Sequence, residues 1–289
     1  MLKKIRYIAE YIAVIFLMLV FKNLSAPAAS HLGGWIGRSI GPKLSVNRRV
    51  KKHILIAFPN LTALELKKII YDMWDNLGRN FAEYPHLEII GQHHVELIGG
   101  DILDKLNEVP QPAVLISAHF ANWEVAAPCF LLQKNFAMDL IYRAPNNPLV
   151  DKILEDYRSL FGKLKTYPKS KTGMRGVVDA LSKKRHIGIL IDQKYNAGIR
   201  ADFFGHAAMT SPAFVQLAQK YKCPLIPARI ERIGSRCQFR VTLCEPILTQ
   251  NREPLEIINQ AHQFLEESIR LNPAQWIWLH RRWIRNPQK

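Results

Sequence analysis

The residues with the clearest chemical potential are His119 and Glu124, five positions apart in a loop between a predicted strand and a predicted helix. A histidine can act as a general base because its pKa lies near neutrality. A carboxylate on the first turn of the next helix could hold one ring nitrogen and stabilise the imidazolium. The alternative is a loop histidine that only caps or packs. A zinc site is disfavoured because the spacing is not H-E-x-x-H.

Two further polar clusters follow predicted strands. In open α/β sheets, reactive groups collect just beyond the carboxyl ends of the strands. We therefore expect these clusters to converge on the loop that carries His119. The first cluster contains Arg143, Asn146 and Asn147, and the second contains Asp192, Gln193 and Lys194.

Strand-like and helix-like segments alternate along the chain after Gly100, which predicts an α/β fold with a mixed, mostly parallel central sheet flanked by helices. Upstream, Thr62 and Glu65 predict the start of a helix that ends near Pro85. Residues 31–61 are interpreted as a connector with short helical pieces. The predicted strands are 113–117, 138–142, 163–167, 187–191, 225–230 and 238–243, and the predicted helices are 123–133, 147–161, 172–184, 211–221 and 254–271.

The chain is strongly basic, with 40 Lys and Arg against 24 Asp and Glu and a formal net charge of +16. Such a balance is typical of proteins that contact nucleic acid, an anionic membrane surface or a phosphorylated substrate. The four cysteines form no C-x-x-C pair, so buried reduced thiols are favoured over disulfides or a zinc site.

An apolar N-terminal run favours the membrane among these partners. Ile12–Phe21 carries no charge, follows three basic residues and ends at Lys22. It is shorter than the roughly 20 residues that a spanning helix needs. An uncleaved anchor that spans the bilayer or lies in its interface is therefore predicted for residues 1–24, followed by one α/β domain over residues 25–289. A cleaved signal peptide and a buried core helix are the less favoured alternatives.

Several short blocks follow the His119 loop in one order: Tyr142–Leu149, Tyr157–Ser159, Ile191–Gln193, Phe203–Gly205, Thr210–Pro212, Pro224–Pro227 and Trp278–Trp283. Together with His119-x4-Glu124, which looks like the H-x4-D/E motif of glycerolipid acyltransferases, they resemble the late acyltransferases of lipid A biosynthesis. An H-x4-E motif alone is weak, but the ordered blocks spread the resemblance over nearly the whole chain.

The resemblance implies an acyltransferase that moves a fatty acyl chain from an acyl-carrier-protein thioester to a hydroxyl of a lipid A precursor. His119 and Glu124 would form the catalytic dyad, with Arg158 and Asp192 as further catalytic residues. The alternative for Arg158 and Asp192 is a purely structural role as an ion pair. Gln193 is given no catalytic role.

Substrate binding is assigned to Arg143, Asn146 and Asn122, with Arg143 as a phosphate or substrate clamp. Asn122 and Trp123 are expected to shape the loop rather than react.

The implied partners are an acyl carrier protein as donor, an anionic lipid acceptor and a membrane surface, with no nucleic acid. No cofactor or metal is expected, because the thioester is already activated. The implied location is the bacterial inner membrane, with the catalytic domain on its cytoplasmic face. The aromatic and basic C-terminal segment would contact the bilayer or pack in the core, and it comprises Trp276, Trp278, Arg281, Arg282, Trp283 and Arg285.

Two alternatives remain open. The same fold could act on another glycolipid, a lysophospholipid or glycerol phosphate. A non-catalytic basic protein that binds a membrane surface or nucleic acid would explain the charge and the apolar N-terminus, but it assigns nothing to the His119 loop.

Overall fold

The computed structural model describes residues 2–283, and its N-terminal part is a layer of four helices. The first of them, α1, is the predicted apolar segment, and the fourth, α4, begins at the predicted capping box of Thr62 and Glu65. These helices are α1 (Leu2–Lys22), α2 (Ala26–Ile40), α3 (Asn47–Ala57) and α4 (Ala63–Glu83).

The segment interpreted as a connector is largely helical, because its glycines serve packing rather than flexibility. A Cβ atom placed on Gly33 of α2 would lie 2.4 Å from the carbonyl oxygen of Gly78 on α4. Such a close approach of two helix backbones is possible only where both lack side chains. Residues 31–61, interpreted as a connector with short helical pieces, thus contain most of α2 and all of α3, so more of the segment is helical than expected.

Within the described residues, the core is a seven-stranded sheet with the order β1-β9-β8-β2-β5-β3-β4. Neighbouring strands are parallel except β8 and β9, so the predicted mixed, mostly parallel α/β fold is confirmed. Its strands are β1 (Val95–Ile98), β2 (Val114–Ser117), β3 (Met138–Tyr142), β4 (Thr166–Pro168), β5 (His186–Leu190), β8 (Leu225–Arg232) and β9 (Phe239–Leu243). A separate antiparallel hairpin contains β6 (Ile199–Phe203) and β7 (His206–Thr210).

Helices cover the sheet and complete the alternation predicted from the sequence. They are α5 (Leu87–His93), α6 (Asp101–Glu108), α7 (Ala126–Lys134), α8 (Pro148–Arg158), α9 (Lys171–Ser182), α10 (Ala213–Lys220) and α11 (Pro254–Leu271). The helices α5 and α6, the β6–β7 hairpin and the edge strand β1 were not predicted.

Helix α1 has one packed face and one exposed apolar face. Met18 and Phe21 are buried against the rest of the protein. On the opposite side, large apolar residues at helical spacing are exposed, namely Ile5, Ile8, Ile12, Phe16 and Leu19. Among the helices of residues 2–283, none has the length and apolar character needed to cross a membrane.

The C-terminal tryptophans belong to the core. Trp276, Trp278 and Trp283 are buried, and the side chain of Arg282 is fully buried as well. Of the two interpretations of this segment, core packing is the one that the structure confirms for these residues. Arg281 is exposed, and Arg285 lies outside the described residues.

Candidate active site

The central feature of the site is a hydrogen bond between His119 and Asp192, which strand register brings together. Ser117 of β2 pairs with Leu190 of the neighbouring parallel strand β5. His119 and Asp192 each lie two residues beyond that pair, at the same edge of the sheet. The ring Nδ1 of His119 lies 2.8 Å from Oδ1 of Asp192, and its backbone N–H donates to Oδ2 at 3.1 Å.

Asp192 is an ionised acceptor in this pair. Burial alone would raise its pKa, but the charge and hydrogen bond of His119 hold the pKa well below its usual range. Trp276 Nε1–H also donates to Oδ2, at 2.8 Å. Because a carboxylate can only accept, Nδ1 of His119 carries the proton, and in the neutral ring the lone pair is on Nε2. His119 is thus arranged as a base through Nε2.

Glu124 has different partners from those predicted. Its carboxylate accepts hydrogen bonds from Arg158 through Nε and Nη2, from the Tyr84 hydroxyl at 2.6 Å and from Trp123 Nε1–H at 3.0 Å. Burial would raise the pKa of Glu124, but the charge of Arg158 lowers it, so the carboxylate is ionised. The expectation that Glu124 holds a ring nitrogen of His119 was wrong, because Asp192 occupies that position and Arg158 takes the carboxylate of Glu124.

Arg158 comes from the last turn of α8 and is held bidentately by Glu124. Its Nη1 is buried and has no hydrogen-bond partner among the described residues. The guanidinium also lies over the ring of Tyr142, 4.8 Å from its centroid. The structure therefore places a fixed positive charge with one unused donor beside the His119 loop.

A buried polar network fixes the loop between His119 and Glu124. Asn122 is fully buried, donates to Glu83 and accepts from the backbone N–H of Glu124. Glu83 in turn forms a buried ion pair with Arg232 at 2.5 Å. Ala121, with φ of 43°, accepts a hydrogen bond from the side chain of Asn76. Asn122 thus shapes the loop as expected, and it does not line the cavity, which contradicts its assignment to substrate binding.

A cavity of about 490 Å³ opens beside His119 and runs along one face of the sheet. The inward side chains of neighbouring strands form one wall, and α7 forms the other with Ala126, Ala127 and Phe130. The cavity reaches from Tyr142 at the end of β3 to Met138 at its beginning, which is about 13 Å at the usual rise of a strand. The sheet wall consists of Leu115, Ser117, Met138, Leu140, Tyr142, Gly188, Leu190, Ala228 and Ile230.

The rim of the cavity is basic and is tied to α1. Arg143, Asn146 and Lys169 line it. Asn147 caps α8 through its side-chain oxygen, and its Nδ2 donates to the Tyr7 carbonyl of α1 at 2.9 Å. The position of α1 is therefore coupled to the loop that forms the rim.

Two further residues lie beside His119: Gln193, whose cluster was expected to converge there but which was given no catalytic role, and His280, which was not expected there. Nε2 of Gln193 lies 3.4 Å from Nε2 of His119 and 3.4 Å from Nε2 of His280, and both Gln193 and His280 line the cavity. Burial, followed by the charge of His119, lowers the pKa of His280 to about 4, so that imidazole is neutral. Gln193 directly follows Asp192, and that position beyond β5 was the available sign. His280 could not be placed, because nothing in its local sequence shows that it returns to the β2–β5 edge.

A base at the mouth of a long apolar cavity is an arrangement suited to an enzyme that acts on a substrate with an alkyl chain. Comparison with known proteins agrees with this description. The model of the family described as "Bacterial lipid A biosynthesis acyltransferase" matches residues 1–285. The chain belongs to this family, and it is an acyltransferase.

Characterised relatives are distant but cover nearly the full length. The lipid A biosynthesis lauroyltransferase of Escherichia coli (strain K12) is 24% identical over 306 residues, which cover 98% of this chain and 94% of that protein. The lipid A biosynthesis palmitoleoyltransferase of the same organism is 23% identical over 276 residues, covering 92% of this chain and 88% of that protein. A lipid A biosynthesis acyltransferase of Shigella flexneri shows the same identity and coverage.

Proposed function

We propose that this acyltransferase moves a fatty acyl chain from an acyl-carrier-protein thioester to a hydroxyl of a lipid A precursor. The observation that carries the proposal is the ring of His119 in the lining of the apolar cavity, with Nδ1 fixed by Asp192 so that Nε2 is the proton acceptor. A proton acceptor thereby stands where the carbonyl carbon of a bound acyl chain would emerge. Membership of the lipid A acyltransferase family supports the choice of acceptor.

In the proposed reaction, His119 Nε2 takes the proton of the acceptor hydroxyl as its oxygen attacks the thioester carbonyl carbon. The negative charge of Asp192 stabilises the imidazolium that forms. The tetrahedral intermediate then collapses, the carbon–sulfur bond breaks, and the imidazolium returns the proton to the departing sulfur. An ester and a free thiol are the products, and no covalent enzyme intermediate is needed.

The carbonyl oxygen that becomes negative needs a hydrogen-bond donor close to His119. The side-chain amide of Gln193 is in that position, 3.4 Å from Nε2 of the base. A preorganised donor at such a point lowers the barrier because it needs no reorientation when the charge develops. We therefore give Gln193 this role, which revises the expectation drawn from the sequence.

Arg158 and Glu124 act as a unit in this proposal. The bidentate ion pair fixes the guanidinium, and the unused Nη1 supplies a charged donor for a substrate oxygen in the cavity. Glu124 thus acts by holding Arg158 rather than by touching the base.

The membrane is the proposed setting, specifically the cytoplasmic face of a bacterial inner membrane. The exposed apolar face of α1, with basic residues near its start, fits a helix that lies in the bilayer interface. Because Asn147 ties α1 to the cavity rim, such a helix would present the rim to lipid. The net charge of +16 would attract both anionic headgroups and an acidic carrier protein.

The test is a substrate panel with the purified full-length protein. Acyl-carrier-protein thioesters are offered together with a lipid A precursor, a lysophospholipid or glycerol phosphate, and the products are identified by mass spectrometry. The proposal expects an added acyl chain on the lipid A precursor alone. Acylation of only the lysophospholipid or glycerol phosphate would reassign the acceptor, and transfer from acyl-coenzyme A but not from the carrier protein would reassign the donor.

A further inference from the structure

The rim of the cavity carries two cations side by side, and strand register is the reason. Tyr142 of β3 pairs with Pro168 of the neighbouring parallel strand β4. Arg143 and Lys169 each follow that pair by one residue, and the backbone N–H of Lys169 donates to the Tyr142 carbonyl at 2.8 Å. Because parallel strands lie about 4.8 Å apart and level residues share a face, both side chains reach the same part of the rim.

An anion bound between the two cations would relieve their mutual repulsion. Level like charges on neighbouring strands repel each other. Lys169 is exposed at the rim, but partial desolvation of its amine, together with the charge of Arg143, lowers its pKa. Among residues 2–283, neither Arg143 nor Lys169 forms a salt bridge, whereas many other basic side chains of the protein do.

The two cations also lie near the proposed base, His119. Both line the cavity that His119 faces, so a group bound by them would belong to a substrate whose reacting atom lies at that base. An arginine offers two parallel N–H donors to an anion, and a lysine adds a compact point charge. This combination suits the tetrahedral oxygens of a phosphate better than a lone carboxylate.

We infer that Arg143 and Lys169 together form a binding site for a phosphate group of a substrate during acyl transfer. The inference rests on the proposed function and deepens it, because it adds Lys169 and names the group that is recognised. Two substrates could supply the phosphate: the phosphopantetheine arm of the thioester donor and the phosphorylated acceptor lipid.

Deleting the phosphate from each substrate in turn separates the two sources. Donors are an acyl-phosphopantetheine thioester and the matching acyl-pantetheine thioester, and acceptors are the lipid A precursor and its dephosphorylated form. For Lys169→Ala and Arg143→Ala, kcat/KM should fall roughly ten- to a hundred-fold with the phosphorylated form of one substrate, as for a lost charged hydrogen bond. With the dephosphorylated form of that substrate, the wild type should already be slow, and the variants should differ from it by less than about twofold.

Lys171→Ala is the matched control. It removes the same charge two residues away, from an exposed side chain at the start of α9 that does not line the cavity. Its kcat/KM should equal that of the wild type. An equal loss in Lys171→Ala, or a loss in Lys169→Ala that is the same with and without each phosphate, would overturn the inference while leaving acyl transfer intact.

A binding measurement keeps the two proposals distinguishable. Inorganic phosphate at constant ionic strength should raise the melting temperature of the wild type and of Lys171→Ala, but raise that of Lys169→Ala less. The wild type could transfer no acyl chain and still be stabilised by phosphate more than Lys169→Ala is. In that case the proposed function is wrong and the phosphate-binding site is supported. If phosphate raises the melting temperature of the three proteins equally, the inferred phosphate-binding site is wrong.

Discussion

At the scale of single residues, two ionised carboxylates divide the work of the site. Asp192 binds the ring of His119, and Glu124 binds the guanidinium of Arg158. Both side chains are buried, so each would be costly to ionise without its cationic or hydrogen-bonding partner. The two pairs are joined by the short loop 119–124, and the buried network around Asn122 keeps that loop in place.

Asp192→Asn should impair chemistry more than binding. An amide can present its NH2 group to Nδ1 of His119, which would move the ring proton to Nε2 and remove the free base. By analogy with the Asp-to-Asn change of serine proteases, kcat should fall by roughly 10³- to 10⁴-fold, with a smaller change in KM. Steady-state kinetics of acyl transfer measures both parameters.

Trp276→Phe is the companion variant, because it removes one hydrogen bond to Asp192 and leaves the carboxylate in place. It should lose much less activity than Asp192→Asn. Equal losses in the two variants, or a fall in kcat that follows the fraction of unfolded protein in a melting curve, would mean that Asp192 only supports the fold.

The sequence identified His119 and Asp192 but paired His119 with the wrong carboxylate. Both residues follow clear apolar strands, so their position at the sheet edge was predictable. Their pairing depends on β2 and β5 being neighbours, a relation across 73 positions that no local pattern contains. Glu124 was the natural choice only because it is near in sequence.

At the scale of secondary-structure elements, Gly188 on β5 keeps the inner part of the cavity open. A Cβ atom on Gly188 would lie 2.8 Å from the Met138 sulfur and 3.2 Å from Cδ2 of Leu140. Met138 lies at the beginning of β3, at the end of the cavity farthest from the carboxyl ends of the strands, where His119 and Asp192 lie. These two residues should therefore limit how far an acyl chain extends along the sheet.

Gly188→Ala should shift the preferred acyl chain towards shorter lengths, because the added methyl group and the displaced Met138 side chain occupy the inner cavity. Met138→Ala should shift the preference the opposite way. The measurement is a competition among carrier-protein thioesters of several chain lengths, with product ratios read by mass spectrometry. The product ratio does not depend on total activity, so it measures chain-length preference even in a partly unfolded variant. Unchanged ratios in both variants would place the end of the acyl site elsewhere.

Elements were predicted best where apolar residues dominated. Met138–Tyr142 and the helix from Pro254 to Leu271 have the predicted bounds. The β6–β7 hairpin was missed because its short strands carry polar residues such as Arg200, Asp202 and His206. The helix α2 was missed because glycine is unfavourable within helices, and the compensating contact with α4 lies far away in sequence.

At the scale of the whole molecule, the exposed face of α1 predicts attachment to an anionic bilayer. A double variant, Ile12→Glu and Phe16→Glu, places charge at two positions that are more than 60% exposed, so the fold should tolerate it. It should lose most co-sedimentation with anionic vesicles, because charged side chains do not enter the acyl boundary.

Leu248→Glu is the matched control for vesicle binding. Leu248 is 77% exposed. It follows Ile247, which forms a β-bridge with Leu225, the first residue of β8. It therefore lies at the opposite end of the sheet from His119. This variant should sediment like the wild type. Equal binding by the α1 double variant and the wild type would remove α1 from the attachment site.

One buried and two half-buried histidines make the whole molecule sensitive to mild acid. Burial lowers the pKa of His186 to about 4 and that of His262 to about 3, and His280 behaves like His186. In the unfolded chain these rings take up protons near pH 6.5, so unfolding binds protons between about pH 6.5 and 4. Stability should therefore fall as the pH falls through that window. The buried carboxylates, whose pKa values are lowered, add their loss only below about pH 4.

Melting temperatures recorded from pH 7.5 to 4.5 test this dependence. His186→Leu removes one of the rings, so its melting temperature should vary less steeply with pH than that of the wild type, whatever its absolute value. A slope equal to that of the wild type would show that His186 is not held neutral in the folded protein.

The most direct test of the account is the rate of acyl transfer to a lipid A precursor in single turnover, with His119→Ala compared with His206→Ala. His206 lies on the exposed β6–β7 hairpin and does not line the cavity, so its removal controls for the loss of an imidazole elsewhere. The account predicts a fall of roughly 10²- to 10⁴-fold for His119→Ala, the usual contribution of a general base, and the wild-type rate for His206→Ala. Transfer by His119→Ala at the wild-type rate would contradict the assignment of His119 as the base.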